Sequence, residues 1–412
     1  MTQPIEVDCL VAGGGPAGMM AGLLFARAGI RTAVLEKHAD FLRDFRGDTV
    51  HPSTLELMHE LGMGERFLQR PHQPMDRLSG TFGSETIEIA DFSALPVRSK
   101  FIAFMPQWHF LDFLASEAET FPDFSLHMRT EATELLRENG RVTGVRADTP
   151  DGPVEFRAKL TIGADGRSST VRDQSGLQVK TLGAPIDVLW FKADRPAGEE
   201  NHSLLNANNG RIVVTIDRGD YLQCAFVIAK GGAGEVVAAG LEAFRNTVAS
   251  AVPKLEGAMG GLQSMDDVKL LTVAVDRLER WARPGLLMIG DAAHAMSPIG
   301  GVGINLAIQD AVAAANLLAA KLKHGELSDE DLQQVRKRRL WAVRATQFVQ
   351  VQAQNRIIAP IISGERGTQR PPLPLRLVSR VPWLKRQFAK LVGLGFRPEH
   401  IQSPVAAAGG SG

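Results

Sequence analysis

The chain has 412 residues, and its 46 Lys plus Arg are balanced by 46 Asp plus Glu, so no overall charge draws it to nucleic acid or to an anionic surface. The length suits two joined domains rather than one core, and 44% hydrophobic with 22% charged residues is an ordinary globular composition. Cys9 and Cys224 stand far apart with no CxxC pair, which argues against a disulfide framework or a cysteine zinc site.

Residues 1–6 carry no basic n-region or apolar leader, and no run approaches the ~18 apolar residues of a membrane span, so a cytoplasmic protein is expected. Residues 6–11 read as an apolar strand, 16–28 as a helix and 31–35 as a second strand, one βαβ unit. Pro52 and Ser53 open a helix over 53–61, and another is expected over 111–120. Strands at 141–148 and 154–162 flank an Asp151-Gly152 turn. From 182 to 230, β-branched and aromatic residues cluster in DVLWFKAD, RIVVTI and YLQCAFVIA, the pattern of an antiparallel sheet forming its own layer. A helix near 240–250, strands at 270–275 and 285–289, and long helices at 303–322 and 329–356 follow. The remainder is rich in proline and basic residues.

Three motifs carry chemistry. Gly13-Gly14-Gly15-Pro16-Ala17-Gly18 joins the first strand to the first helix. Gly13 permits the tight turn, Gly15 admits a phosphate to the backbone, and Gly18 lets helix pack on strand. The helix start then offers N–H groups to a pyrophosphate. Glu36 ends the second strand, where a carboxylate accepts hydrogen bonds from an adenosine ribose. The second motif, Gly163-Ala164-Asp165-Gly166-Arg167-Ser168, is by itself only a good turn. In the third, an apolar strand delivers Gly290-Asp291-Ala292-Ala293-His294, followed by Pro298-Ile299-Gly300-Gly301-Val302-Gly303-Ile304-Asn305. An acid at a strand's carboxyl end suits ligand hydroxyls, and the helix start at 301–305 suits an anion. A helix cap would explain one of these glycines, not three.

In order and spacing these motifs resemble those of the single-component flavoprotein monooxygenases typified by p-hydroxybenzoate hydroxylase, from residue 6 to about 400. The resemblance implies an α/β fold: an FAD-binding, Rossmann-like domain of the glutathione-reductase type with an inserted antiparallel-sheet substrate domain. It implies an oxidoreductase that holds FAD non-covalently and takes electrons from NADPH or NADH. Through a flavin C4a-hydroperoxide it would use O2 to hydroxylate or epoxidise a small aromatic or polyketide-like substrate. Segments 1–75, 101–175 and 276–360 would form the FAD part, and 76–100 and 176–275 the substrate part. Residues 361–405 would be a helical segment and 406–412 a disordered tail.

The same resemblance distributes roles. Gly13, Gly15, Pro16, Ala17 and Gly18 would cradle the pyrophosphate. Glu36 and Lys37 would stand at the adenosine ribose, Ala132 at the adenine, and Gln107 near the ribityl chain. Gly290 and Asp291 would hold the ribityl hydroxyls, and Pro298, Gly301, Val302, Gly303, Ile304 and Asn305 would line the isoalloxazine. Asp165 and Gly166 belong to a motif linked with both FAD and NAD(P)H. Arg46 matches an arginine that contacts FAD and assists NAD(P)H; Arg46 and Pro298 are the expected catalytic positions.

The substrate is expected between flavin and sheet, with Trp190, Phe191, Tyr221 and Phe226 as candidate walls and ordinary packing as the competing reading for each. Trp190 and Phe191 are adjacent, so at most one of them faces the flavin. Tyr221 is the single tyrosine, so no tyrosine pair exists to deprotonate a phenol. His51, His109, His202 and His294 are bases by type only. No metal or nucleic acid is expected, and oligomeric state is left open. Residues 366–397 hold eight basic residues and no acid. A solvated helix with basic stems lying over apolar surface is preferred there to a peripheral membrane contact. Two other readings share the motifs: a reductase of the geranylgeranyl reductase type, and a non-catalytic binding protein. A flavin halogenase would carry a WxWxIP segment, which is absent.

Overall fold

Burial along Ile5–Ala12 becomes complete in its last four residues, because helices cover both faces of a parallel strand. The strand lies between Thr32–Leu35 and Gly152–Gly163, parallel to both. Phe124–His127 and Leu286–Met288 extend the parallel run on either side. Gly152–Gly163 has two characters. Its first half pairs antiparallel with Arg141–Thr149 and is mostly half-buried; its last four residues are buried core. In this computed structural model the described residues are 3–42, 49–196, 204–364 and 370–406.

The Pro16–Arg27 and Gly303–His324 helices pack together over this sheet. The second of them corrects the expectation that no segment is apolar enough to span a membrane. Ile299–His324 passes that test by length and composition, yet 72% of the apolar window is buried inside the protein. It is the core helix of the parallel sheet, ended by Gly325 in the left-handed region at φ 73°.

A second sheet of seven strands among the described residues runs in the order Lys269–Leu271, Ile186–Asp194, Tyr221–Ala229, Arg211–Asp217, Leu205–Asn208, Arg77–Phe82, Glu85–Asp91. The hairpin at 77–91 thus joins strands more than a hundred residues away, through a parallel pairing with Leu205–Asn208. The strand expected over 270–275 stops at Leu271. Beyond it the Val273 N–H donates to the buried Asp187 carboxylate (2.9 Å), which also takes Gly231 N–H and Lys230 Nζ, so a side chain replaces the ladder. The helix expected at 240–250 runs over Ala233–Ala251, kinked at Gly240 with φ 83°.

The helix expected from 111 begins at Gln107, directly after Pro106. The Asp329–Ala353 helix opens on a capping box between Ser328 and Asp331 and continues into a π-helical turn, Gln354–Ile358. The proline-rich remainder folds into Leu373–Arg380 and Pro382–Gly393.

Candidate active site

Strand register brings the motifs to one edge. Ala12 pairs with both Leu35 and Gly163, and Gly163 pairs with Met288. The four strands therefore end level, and Gly13, Glu36, Ala164 and Ile289 leave the sheet side by side at its carboxyl edge. In open α/β sheets that edge is where ligands bind.

The glycines there meet different surroundings. A Cβ on Gly13 would lie 2.4 Å from the Ala164 carbonyl oxygen, and one on Gly18 would lie 1.8 Å from the Gly13 oxygen, so both are fixed by close packing. Around Gly15 nothing among the described residues comes within 4 Å of the same position, which leaves its backbone open to a ligand. Pro16 starts the helix and no side chain among the described residues caps it. Its first-turn N–H groups therefore lack intrahelical partners and favour an anion. Glu36 is buried above this turn; Oε2 accepts from Gly14 N–H (3.1 Å) and Oε1 from His38 N–H (3.0 Å). Ala17 and Gly290 touch, a Cβ on Gly290 lying 3.0 Å from that of Ala17, so the first and third motifs form one wall. Lys37 is exposed and pairs with Glu131 at 3.7 Å. Ala132, next along that strand, is half-buried, as is Gln107 at its helix start.

Asp291 begins a short 3-10 turn, and its Oδ2 accepts from Arg167 Nε at 2.9 Å. Arg167 also donates to the Met296 carbonyl (3.3 Å). Sequence reasoning gave Arg167 no role, although it directly follows the Asp165-Gly166 turn. Asp165 follows at this edge, its Cα against the Gly13 turn. Its carboxylate accepts from Ser169 Oγ and from Val171 N–H (3.0 Å), which fixes the start of the Thr170–Ser175 helix. Burial holds its carboxyl above the usual range against those hydrogen bonds.

Two clamps hold the glycine-rich turn at 298–305. The first is Asn305, expected to line the flavin. Its Oδ1 accepts from His51 N–H and Thr54 Oγ (both 2.8 Å), and its Nδ2 donates to the Thr49 and Gly301 carbonyls. This side chain is thus committed to fixing the turn against residues 49–54. Thr49 Oγ adds a bond to the Gly301 oxygen (2.8 Å). Arg46 and His202 lie outside the described residues. The second clamp is a ladder of buried glutamines on one helix face. Gln347 donates to the Ala295 oxygen, Gln350 to the Ser297 and Ile299 oxygens, and Gln354 to Ser297 Oγ. Pro298 sits between these anchors, its oxygen taken by Gly301 N–H (3.0 Å). Val302, Gly303 and Ile304 are half-buried, and no side chain among the described residues caps the helix that begins at Gly303.

His51 is buried, with Nδ1 donating to the Val392 carbonyl (2.7 Å). Burial pushes its pKa down to about 4. Between about pH 6.5 and about 4 the unfolded imidazole binds a proton that the folded one refuses, so stability falls as pH drops, by about 3 kcal/mol at the acid end. Urea unfolding across this window should show a shallower slope in His51→Gln; equal slopes would reject the assignment.

His294 is not at the cofactor edge but beneath it. Its Nε2 lies 2.6 Å from Asp310 Oδ2, an oxygen that also accepts Gly290 N–H (3.2 Å). Asp310 Oδ1 accepts from Arg339 Nε (3.0 Å), and Arg339 reaches Glu399 at 3.5 Å. Burial alone would raise the Asp310 carboxyl; His294 and Arg339 outweigh it and hold it below the usual range.

The second sheet faces this site with one side only. Trp190 and Val214 pack in a cluster with Ile299 of the glycine-rich turn and Ile357 and Ile358 of the π-helical turn. Phe191 and Phe226 point the other way, into a core with Phe244 of the Ala233–Ala251 helix, Phe191 edge-on to it at 5.1 Å. They are removed from the expected pocket wall, because the helix covering the outer face needs large apolar partners. Tyr221 shares the inner face but lies at the strand's end beneath Lys192, 4.9 Å from its ring centroid.

Comparison with known proteins agrees with this geometry. The family described as FAD binding domain matches residues 6–349. The chain is 32% identical over 406 residues to a 6-methylpretetramide 4-monooxygenase from Streptomyces rimosus, covering 98% of this chain and 96% of that protein. It is 28% identical to a 12-dehydrotetracycline 5-monooxygenase/anhydrotetracycline 6-monooxygenase from the same species, over 75% of this chain and 61% of that longer protein. Among solved structures, the anhydrotetracycline hydroxylase OxyS from Streptomyces rimosus superposes with a TM-score of 0.75 at 25% identity, over 98% of this chain and 78% of that one. Level strand ends, an open Gly15, a buried Glu36 and an acid at 291 fit the cofactor of that family, and the chain belongs to the FAD binding domain family as an FAD-dependent monooxygenase.

Proposed function

We propose that this enzyme hydroxylates a ring of a polycyclic, polyketide-derived aromatic compound, held between the 298–304 turn and the inner face of the second sheet. The packing of Ile299, Trp190 and Val214 against one apolar cluster carries this reading, since it brings the inner face of the second sheet to the turn assigned to the isoalloxazine. The near full-length likeness to a 6-methylpretetramide monooxygenase supports the substrate class. Bound FAD, reduced by NADPH or NADH, supplies the activation of O2.

The chain's own groups bind and orient. Gly13, Gly15, Pro16, Ala17 and Gly18 receive the pyrophosphate at an uncapped helix start, and Glu36 the adenosine ribose. Lys37 flanks that ribose, with Ala132 at the adenine and Gln107 near the ribityl chain. Gly290 and Asp291 take the ribityl hydroxyls. The N–H groups of Val302 to Ile304 stabilise negative charge at the ring system, while the clamps on Asn305 and Ser297 keep that turn rigid. Arg46 serves the nicotinamide donor. Trp190 presents its ring to the substrate, and the sheet excludes water.

The test is purification, identification of FAD released on heating, and incubation with tetracyclic phenols under isotopically heavy oxygen. One heavy atom in the product is expected, with NAD(P)H consumed in step. NAD(P)H oxidation that gives only hydrogen peroxide with every such phenol would reject the substrate class. Trp190→Leu should raise KM about tenfold. Phe191→Leu, on the outer face, should cost about 1 kcal/mol of stability and leave KM unchanged. Steady-state kinetics and urea unfolding of the pair check the assignment of faces.

A further inference from the structure

The helices Leu373–Arg380 and Pro382–Gly393 leave three large apolar side chains in solvent: Leu373 is 76% exposed, Leu377 57% and Trp383 64%. Leu373 and Leu377 are four residues apart, on one helix face. The basic stems do not cover them, which departs from the expectation for this segment. Arg370, Arg380, Arg386 and Lys390 are exposed around them, and from 370 to 397 the chain has no acid. Lys385 is the exception among these cations, because it pairs with Glu88 at 2.9 Å. The opposite side of the same helix faces inward, where Leu375 packs in the cluster that holds Trp190 and Ile299.

Exposed Leu and Trp beside Arg and Lys on a short amphipathic helix form the pattern of a segment lying in a lipid interface. The apolar side chains enter the acyl boundary, Trp sits at headgroup level, and each cation near an anionic surface adds to the attraction. A second copy of the chain fits this face poorly, since a two-fold contact would set its cations against themselves. We infer that the Leu373–Arg380 and Pro382–Gly393 helices form a docking surface for an anionic lipid bilayer. The protein would then lie on the membrane by this face, with the inner side of the docked helix next to the substrate sheet. The docking stands independently of the identity of the substrate.

The FAD-loaded enzyme should float with phosphatidylcholine vesicles containing phosphatidylglycerol about tenfold more than with phosphatidylcholine alone, and added salt should release it. Trp383→Glu and Leu377→Glu, both surface changes away from the cofactor edge, should abolish flotation while the flavin spectrum and thermal stability stay unchanged. Arg380→Glu with Arg386→Glu should weaken it on anionic vesicles only. Equal binding to both vesicle types, absence of binding, or unaltered binding by Trp383→Glu would overturn the inference. So would sedimentation as a dimer that Trp383→Glu dissolves, which would make the face a contact between copies.

Discussion

Asp291→Ala should yield folded protein that loses its FAD on gel filtration, with affinity lowered about a hundredfold, as expected for one lost charged hydrogen-bonding group of about 2–3 kcal/mol. The carboxylate stands at the carboxyl end of Leu286–Met288, level with the Gly13 turn, and Arg167 already orients it through Nε. Arg167→Ala should show a smaller loss, since it removes the partner and keeps the ligand group. Flavin fluorescence titration of the apoprotein measures both. FAD binding to Asp291→Ala at wild-type affinity would take Asp291 out of the site.

Asp310→Asn should lower stability by about 3 kcal/mol, because it takes from the buried Arg339 guanidinium the nearer of its two carboxylates, at 3.0 Å, and leaves only Glu399 at 3.5 Å. The side chain is wholly buried and also ties Gly290 N–H, so flavin retention should weaken with it. The acid limb offers a second reading. A carboxyl held below its unfolded value of 3.8 contributes stability that is present above that pH and lost as pH falls through the lower folded value. The Asn variant lacks this loss, so its curve should be flatter below about pH 4. Denaturant titrations of both proteins across this range decide the matter. A cost below about 1 kcal/mol would mean the network is dispensable.

The cofactor edge was legible in the sequence because its chemistry is local. The turn at Gly13, the helix start at Pro16 and the acid at Glu36 fall within one βαβ unit, and each has a steric or electrostatic reason to be where it is. The clamps were not legible, because their partners lie far away in the chain. The Asn305 side chain is held by Thr49, His51 and Thr54, some 250 residues upstream. Two signals were available. Gln347, Gln350 and Gln354 recur on one face of a helix, and Asp310 is the lone acid of a long apolar helix, where an unpaired charge would be costly. Alternation on Ile186–Asp194 separated Trp190 from Phe191 correctly. Which of them faced inward depended on the Ala233–Ala251 helix, and no local pattern reports which side a helix will cover.

That alternation has a practical bearing on diversification. Positions 188, 190, 192, 223 and 225 belong to the inner side of the paired strands, and 189, 191, 193, 224 and 226 to the outer. On the proposed placement of the substrate, the half-buried position 190 and the exposed position 192 of the inner side would alter what the enzyme accepts, whereas the outer set, with the buried Val188 and Ala225, governs how firmly the sheet is held. A mutant library that randomises every second residue would explore new substrates within a folded population, whereas one over consecutive residues would lose many of its members to unfolding before selection began.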